Sequence, residues 1–277
     1  MNAVKNAESA LQQGEPAQAL KLLQDGVRAN PADARLRVFL FQLLSVLGQW
    51  ERALNQLSVA AELDAAALPM AQTYREAIRC ESLRNEVFAG RKVPMIFGQP
   101  DTWLALLIES LLTAGKGDQE GAERLRQKAF DAAPASSGTL DGEAFAWLAD
   151  ADMRLGPVCE AVINGRYYWL PYTNLRRIQF DEPADLRDVV WTPVHFEFVN
   201  GGESVGLIPT RYPGSELSAE PLVQLARRTE CFEALPGVFH GSGQRILSTD
   251  GGDKALMDVR LIEFDAVPEA GTEPADD

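Results

Sequence analysis

A 34-residue period governs the first half of the chain. Gly14 and Gly48 stand 34 residues apart, as do Ala19 and Ala53, Leu20 and Leu54, and Leu23 and Leu57. Gly26 and Ala60 keep a small residue at a shared phase. From Gly117 the offsets return, with Ala122 five residues on, Ala129 twelve on and Pro134 seventeen on, as Ala19, Gly26 and Pro31 follow Gly14. Two helices and a turn fill such a period. A glycine after the first helix takes the left-handed conformation that ends it. Alanine or glycine at the inner phases lets the paired helices approach, and proline stops the second helix and suits the first turn of the next. Each helix carries an apolar stripe at i, i+3 and i+4, as in Leu36, Leu40, Leu43, Leu44 and Leu47. Such a unit cannot bury that stripe alone, so neighbouring units must stack.

This spacing resembles the tetratricopeptide repeat. Helices at about 68–90 and 101–115 supply further layers, with Pro94, Gly98 and Pro100 breaking the chain between them. Stacked helix pairs form a concave surface suited to a peptide or a helix, without naming either.

Charge divides the chain. Residues 1–135 hold 15 basic and 16 acidic side chains, a net of −1, whereas residues 136–277 hold 11 and 24, a net of −13. The second part has one lysine, Lys254, against ten arginines. Ala133-Pro134-Ala135-Ser136-Ser137-Gly138 lies at the break and reads as a linker. The expected organisation is a helical repeat domain over 1–135, an α+β domain over 136–265 and a disordered acidic tail over 266–277.

Beyond the linker, short strands and turns replace the helical period. Val158–Ile163 and Tyr167–Leu170 flank Asn164-Gly165, the strongest short hairpin signal. Leu175–Phe180, Val194–Val199 and Val205–Ile208 read as strands, and Gln244–Ser248 with Leu256–Phe264 as a last hairpin around Asp250-Gly251-Gly252-Asp253. Short helices are expected at 142–154, 184–190 and 219–228. The fold class is therefore multidomain α and β: a helical repeat array, then an α+β domain with a curved, mostly antiparallel sheet.

The same sequence excludes several functions. Its acidity argues against a phosphate-backbone binder. No run approaches the roughly 20 apolar residues of a membrane span. The N-terminus carries Glu8 where a signal peptide needs an apolar block, so a cytoplasmic location is expected. Cys80, Cys159 and Cys231 form neither a disulfide framework nor a zinc pattern, and no cofactor or metal is expected. Of the two histidines, His195 falls on the polar phase of a strand and His240 in a loop. Asp150 and Asp152, on an expected helix, point apart, and Asp150 with Arg154 reads as an i, i+4 ion pair.

Arginine beside aromatic residues is the conspicuous remainder. Arg166-Tyr167-Tyr168-Trp169, Arg187 with Trp191, Arg211-Tyr212 and Gly243-Gln244-Arg245 all lie in the acidic half. Such arginines serve either as internal partners of carboxylates and rings or as a recognition surface. The contact candidates are exposed aromatics and arginines near the domain junction: Trp103, Trp147, Arg154, Tyr168, Trp169, Arg187, Trp191, Arg211, Tyr212 and Arg245. An alternative is a hydrolase for an anionic substrate, in a cleft uniting Asp150, Arg154, Arg211, Arg245 and His240. A third is a secreted effector or its chaperone.

Phe145-Ala-Trp-Leu-Ala-Asp-Ala-Asp-Met-Arg-Leu-Gly-Pro157 and Asn164-Gly-Arg-Tyr-Tyr-Trp-Leu-Pro171 are similar to signatures of the ImpE family, also called TagJ or SciE-type. Pro183–Trp191, Ile208-Pro-Thr-Arg-Tyr-Pro213 and Gly243-Gln-Arg245 follow in the family's order, and Gly98-Gln-Pro-Asp-Thr-Trp103 fits the helical half. Cys231 departs from the family, standing where an aromatic is expected. The resemblance implies a non-enzymatic, cytoplasmic accessory protein of the bacterial type VI secretion system. Its implied partner is the N-terminal helix of the small sheath subunit (VipA or TssB type), with an indirect link to the ClpV ATPase.

Overall fold

The computed structural model of the protein describes residues 2–98 and 100–265, and the expected acidic tail lies outside them. Helices come first: α1 Asn2–Gln12, α2 Pro16–Ala29, α3 Ala34–Val46, α4 Trp50–Leu63, α5 Leu68–Phe88, α6 Thr102–Gly115 and α7 Gln119–Ala132. The repeat phases account for three hairpins, α1–α2, α3–α4 and α6–α7. Gly14, Gly48 and Gly117 end the first helix of each with φ of +78°, +64° and +91°, where a side chain is strained. Ala19, Ala53, Ala60, Ala122 and Ala129 are buried between helices. A Cβ on Gly26 would lie 2.8 Å from the Cβ of Ala3, so this phase sets how closely α1 and α2 meet. Asp33 and Asp118 cap α3 and α7 by accepting from the backbone N–H of Arg35 and Gly121.

Strands follow: β1 Gly138–Leu140, β2 Glu143–Phe145, β3 Leu148–Asp150, β4 Val158–Ile163, β5 Arg166–Pro171, β6 Leu175–Phe180, β7 Trp191–Phe198, β8 Glu203–Pro209, β9 Thr229–Leu235, β10 Val238–Gly243, β11 Ile246–Thr249, β12 Gly252–Ala255 and β13 Leu261–Phe264. Eight of them make one antiparallel sheet in the order β2-β1-β13-β6-β7-β8-β4-β5. Strands β12-β11-β3 form a second sheet, and β9 pairs with β10 alone. The expected combination of helical array and antiparallel α+β sheet is what the chain adopts.

Alternation along the strands divides the apolar residues between two cores. Val158 and Val162 of β4, with Tyr167 and Trp169 of β5, join the helices in one continuous cluster. Cys159, Ala161, Ile163, Tyr168 and Leu170 point into the second, on the other face of the sheet. The backbone of Met95 pairs with β5, its N–H donating to Tyr167 and its carbonyl accepting from Trp169, which covers that sheet edge. Arg227 reaches back from the far end of the chain and donates to the carbonyls of Leu11 at 2.7 Å and Gln12 at 3.3 Å. These carbonyls lie in the last turn of α1, where the Gly14 N–H also reaches Leu11.

Several local expectations are corrected. The helix expected at 142–154 is β2, β3 and a turn. Asp152 accepts from the backbone of Arg154 and Gly241 at 2.9 Å each, a local bond that competes with helix. Residues 184–190 form turns held by Asp188, which accepts from the N–H of Ala184 and Asp185. Of 219–228 only α8, Pro221–Gln224, is helical. The last hairpin is β11–β12, while β13 leaves it for β1 and β6. The β9–β10 pair, antiparallel over Thr229–Gly243, is a further hairpin outside the expected strands.

Candidate functional site

Two features stand where the helical and strand-rich halves meet: an open groove and a buried charge network. The groove, of about 760 Å³, is floored by Val4 and Leu11 of α1 and by Val38 and Phe39 of α3. Leu186 and Val189, from the turns before β7, close one side. These are the first helices of successive repeat units, the concave face of such an array. Glu8, Arg35, Asp64 and Arg227 supply charge around an apolar floor.

The network begins with Glu160. It is the one charged residue in the apolar run of β4, and it is wholly buried. Arg84 of α5 grips it from the helices, Nε donating to Oε1 at 2.7 Å and Nη2 to Oε2 at 3.1 Å. Arg245 reaches the same carboxylate and also Asp150. The Tyr167 hydroxyl donates to Glu160 at 2.5 Å and accepts from the Trp169 indole at 2.7 Å. Glu81, one turn before Arg84, accepts from the Trp191 indole at 2.8 Å. Arg211 donates to the carbonyls of Val46 and Gln224, joining α3 to α8.

Electrostatics follow from these partners. Burial would raise the Glu160 pKa, but Arg84 and Arg245 overcome it and hold the carboxyl down to about 2. For Asp150 burial wins over Arg245, and the carboxyl rises to about 6. Burial likewise raises Glu81, against the pull of Arg84. Glu160, Arg84 and Arg245 are matched at close range, an arrangement that defines geometry.

The sequence-predicted contact residues therefore have several fates. Their expected exposure is corrected for Trp103, Tyr168, Trp169, Trp191, Arg211, Tyr212 and Arg245, all buried. Tyr168 and Trp169 lie on opposite sheet faces, and Tyr168 stacks on Phe97 at 4.5 Å. Arg245 packs over the Tyr212 ring at 5.4 Å, and that hydroxyl accepts from the Ile246 N–H. Arg187 pairs with Asp185 and covers Tyr74, while Trp147 is 41% exposed. Asp150 and Arg154 are not partners, because Arg154 pairs with Asp152. The cleft of the hydrolase reading does not form: Asp150, Arg211 and Arg245 sit in the seam, whereas Arg154 and His240 line a separate pocket. His195 is partly exposed, 3.6 Å from Glu203.

The groove residues were missed. Their signal lay in α3, where Val38 is apolar yet falls off the Leu36–Leu47 stripe and Phe39 stands at its edge. A second apolar face on a repeat helix needs a partner of its own.

Residues 142–263 match the ImpE protein family, and residues 10–77 match a tetratricopeptide repeat. Over 260 residues the chain is 51% identical to the type VI secretion system accessory component TagJ of Pseudomonas aeruginosa, spanning 94% of this chain and 91% of that protein. The chain belongs to the ImpE family. The crystal structure of protein VPA1032 from Vibrio parahaemolyticus shares its fold, with a TM-score of 0.85 at 25% identity over 94% of this chain and 97% of that one. The ImpE match covers β3, β4 and Arg245, while Glu81 and Arg84 on α5 lie upstream of it and past the tetratricopeptide match, so the network joins the ImpE region to the helical half. Among the described residues no helix is long and apolar enough to cross a membrane, and no cluster of ligating side chains suits a metal ion.

Proposed function

We propose that this protein is a non-catalytic, cytoplasmic adaptor of the type VI secretion system. Its groove receives the N-terminal amphipathic helix of the small contractile-sheath subunit (VipA or TssB type), and through that subunit it acts on sheath assembly or ClpV-dependent disassembly. The observation that carries this reading is the open groove on the first helices of the repeat, apolar along its floor and charged at its rim. That is the surface an amphipathic helix needs. The likeness to TagJ, named as an accessory component of that system, supports the setting.

One helix laid in the groove buries roughly 600–1,000 Å² in total, below the standard interface, which fits reversible micromolar binding. Calorimetric titration with the sheath subunit's N-terminal peptide should saturate with a Kd of about 1–10 μM, or roughly −7 to −8 kcal/mol. Phe39→Glu should abolish the heat while leaving the thermal transition in place. No binding at about 100 μM peptide, or binding undisturbed by Phe39→Glu, would overturn the reading.

A further inference from the structure

A second cavity, of about 480 Å³, lies between α5–α7 and the β9–β10 hairpin. Its walls are apolar, with Phe88, Leu111 and Val238 among them, and its polar groups converge from three elements. Arg126 of α7 is 6% exposed, and its Nε has no acceptor among the described residues. A buried donor without a partner is rare enough to need an explanation. One terminal nitrogen of Arg126 meets Glu123, a carboxylate near the surface and 37% exposed.

Arg154 enters from the turn after β3. It commits Nε and Nη2 to Asp152, at 2.8 and 2.5 Å, which leaves Nη1 outside that ion pair. Its guanidinium lies 4.9 Å from the Phe88 ring centre, which fixes its plane. Asp152 is fully used, since it also accepts from the Gly241 N–H. His240 of β10 completes the wall. Burial, with Arg154 and Arg126 acting the same way and Asp152 against them, lowers its imidazole to about 4. It is therefore neutral at pH 7 and offers one donor and one acceptor.

We propose that this pocket binds a small organic anion, its phosphate or carboxylate group on Arg126 and Arg154 and its apolar body against Phe88 and Leu111. The volume suits a ligand of that size, and the pairing of apolar walls with a few convergent polar groups is typical of small-molecule sites. Guanidinium forks match the two oxygens of either head group. Glu123 is the competitor for Arg126: it swings to solvent when the anion arrives. The site is independent of the groove and of any partner seated there.

The two histidines make the test direct. Imidazole proton resonances of the full chain are followed by NMR during titration with phenyl phosphate, benzoate and inorganic phosphate at constant ionic strength. His195, on β7, is the internal control. Phenyl phosphate and benzoate should shift His240 saturably and leave His195 unmoved. Inorganic phosphate should bind about tenfold more weakly, the factor expected from roughly 60 Å² less apolar burial. Arg126→Gln should abolish the shift. Two surface variants guard against misfolding of that one. Glu123→Gln should tighten binding severalfold, and Ala234→Glu, at an exposed rim position, should weaken it about tenfold. No saturable His240 shift up to roughly 10 mM ligand, or equal affinity in both surface variants, would overturn the proposal.

Discussion

The repeat interfaces and the seam beside them solve one packing problem in opposite ways. Between α1 and α4 the helices meet through alanine, glycine and leucine, and the smallest side chain sets the separation. Between α5 and β4 they meet through Arg84, Glu81, Glu160 and Arg245, each paired on more than one side. Apolar contacts tolerate a small slide, because any apolar neighbour will do. Buried charges do not, because each misplacement leaves an ion without its partner. The repeats thus supply generic adhesion, and the seam supplies a unique orientation of the sheet against the array.

Breaking the seam should have the largest effect. Glu160→Ala removes the carboxylate that two buried arginines and the Tyr167 hydroxyl share and should cost about 3–5 kcal/mol in urea unfolding. A loss below about 1 kcal/mol would put the network on a par with a surface ion pair and remove the contrast. Ala53→Leu overpacks a repeat interface and should cost about 1–3 kcal/mol. Both changes should move one calorimetric transition, since a single apolar cluster runs from Ala7 to Leu225 across both halves. Two resolved transitions would show that the seam joins independently folding units.

The smallest effect is in pH dependence, and it sharpens the contrast between seam and hairpin. The folded-state pKa of Glu160 lies below its unfolded value of 4.5, at about 2. Its stabilisation is present above 4.5 and lost as pH falls toward 2. His240 is lowered from 6.5 to about 4, so its contribution is complete above 6.5 and lost between 6.5 and 4. Asp150 runs the other way: raised from 3.8 to about 6, it favours the folded state as pH falls through that window. His240→Gln should therefore retain more stability than the parent between pH 6.5 and 4, and Asp150→Asn less. Identical pH curves for parent and His240→Gln would show that the hairpin does not hold the imidazole neutral.

Where a local rule governs the backbone, the sequence was legible. The 34-residue phases place Gly14, Gly48 and Gly117 at turns, and Asn164-Gly165 places the β4–β5 hairpin, because those steps depend on neighbours along the chain. Strand partners at long range were not legible. Nothing local tells Leu261–Phe264 to leave β12 and join β1 and β6. The sequence pattern makes the arginines internal partners of carboxylates, yet spacing alone pairs Asp150 with Arg154, four residues away. Its partner is Arg245, 95 residues on. The better clue was Glu160, a lone carboxylate inside Val-Cys-Glu-Ala-Val-Ile, which must have a buried cation when the run is a central strand.

The bond from Arg227 to Leu11 and Gln12 bears on the order in which the molecule is made. A bacterial ribosome adding 5–20 residues per second needs roughly 10–45 s to pass from the first helix to the residue that closes it. During that interval α1 can stack on α2 and α3, but its carbonyl end stays wet and the groove lacks one wall. A partner helix arriving on the nascent chain would meet a half-built surface. On the proposed function, binding competence awaits residue 227, and a chain cut short before it would carry every repeat and still present an unfinished groove.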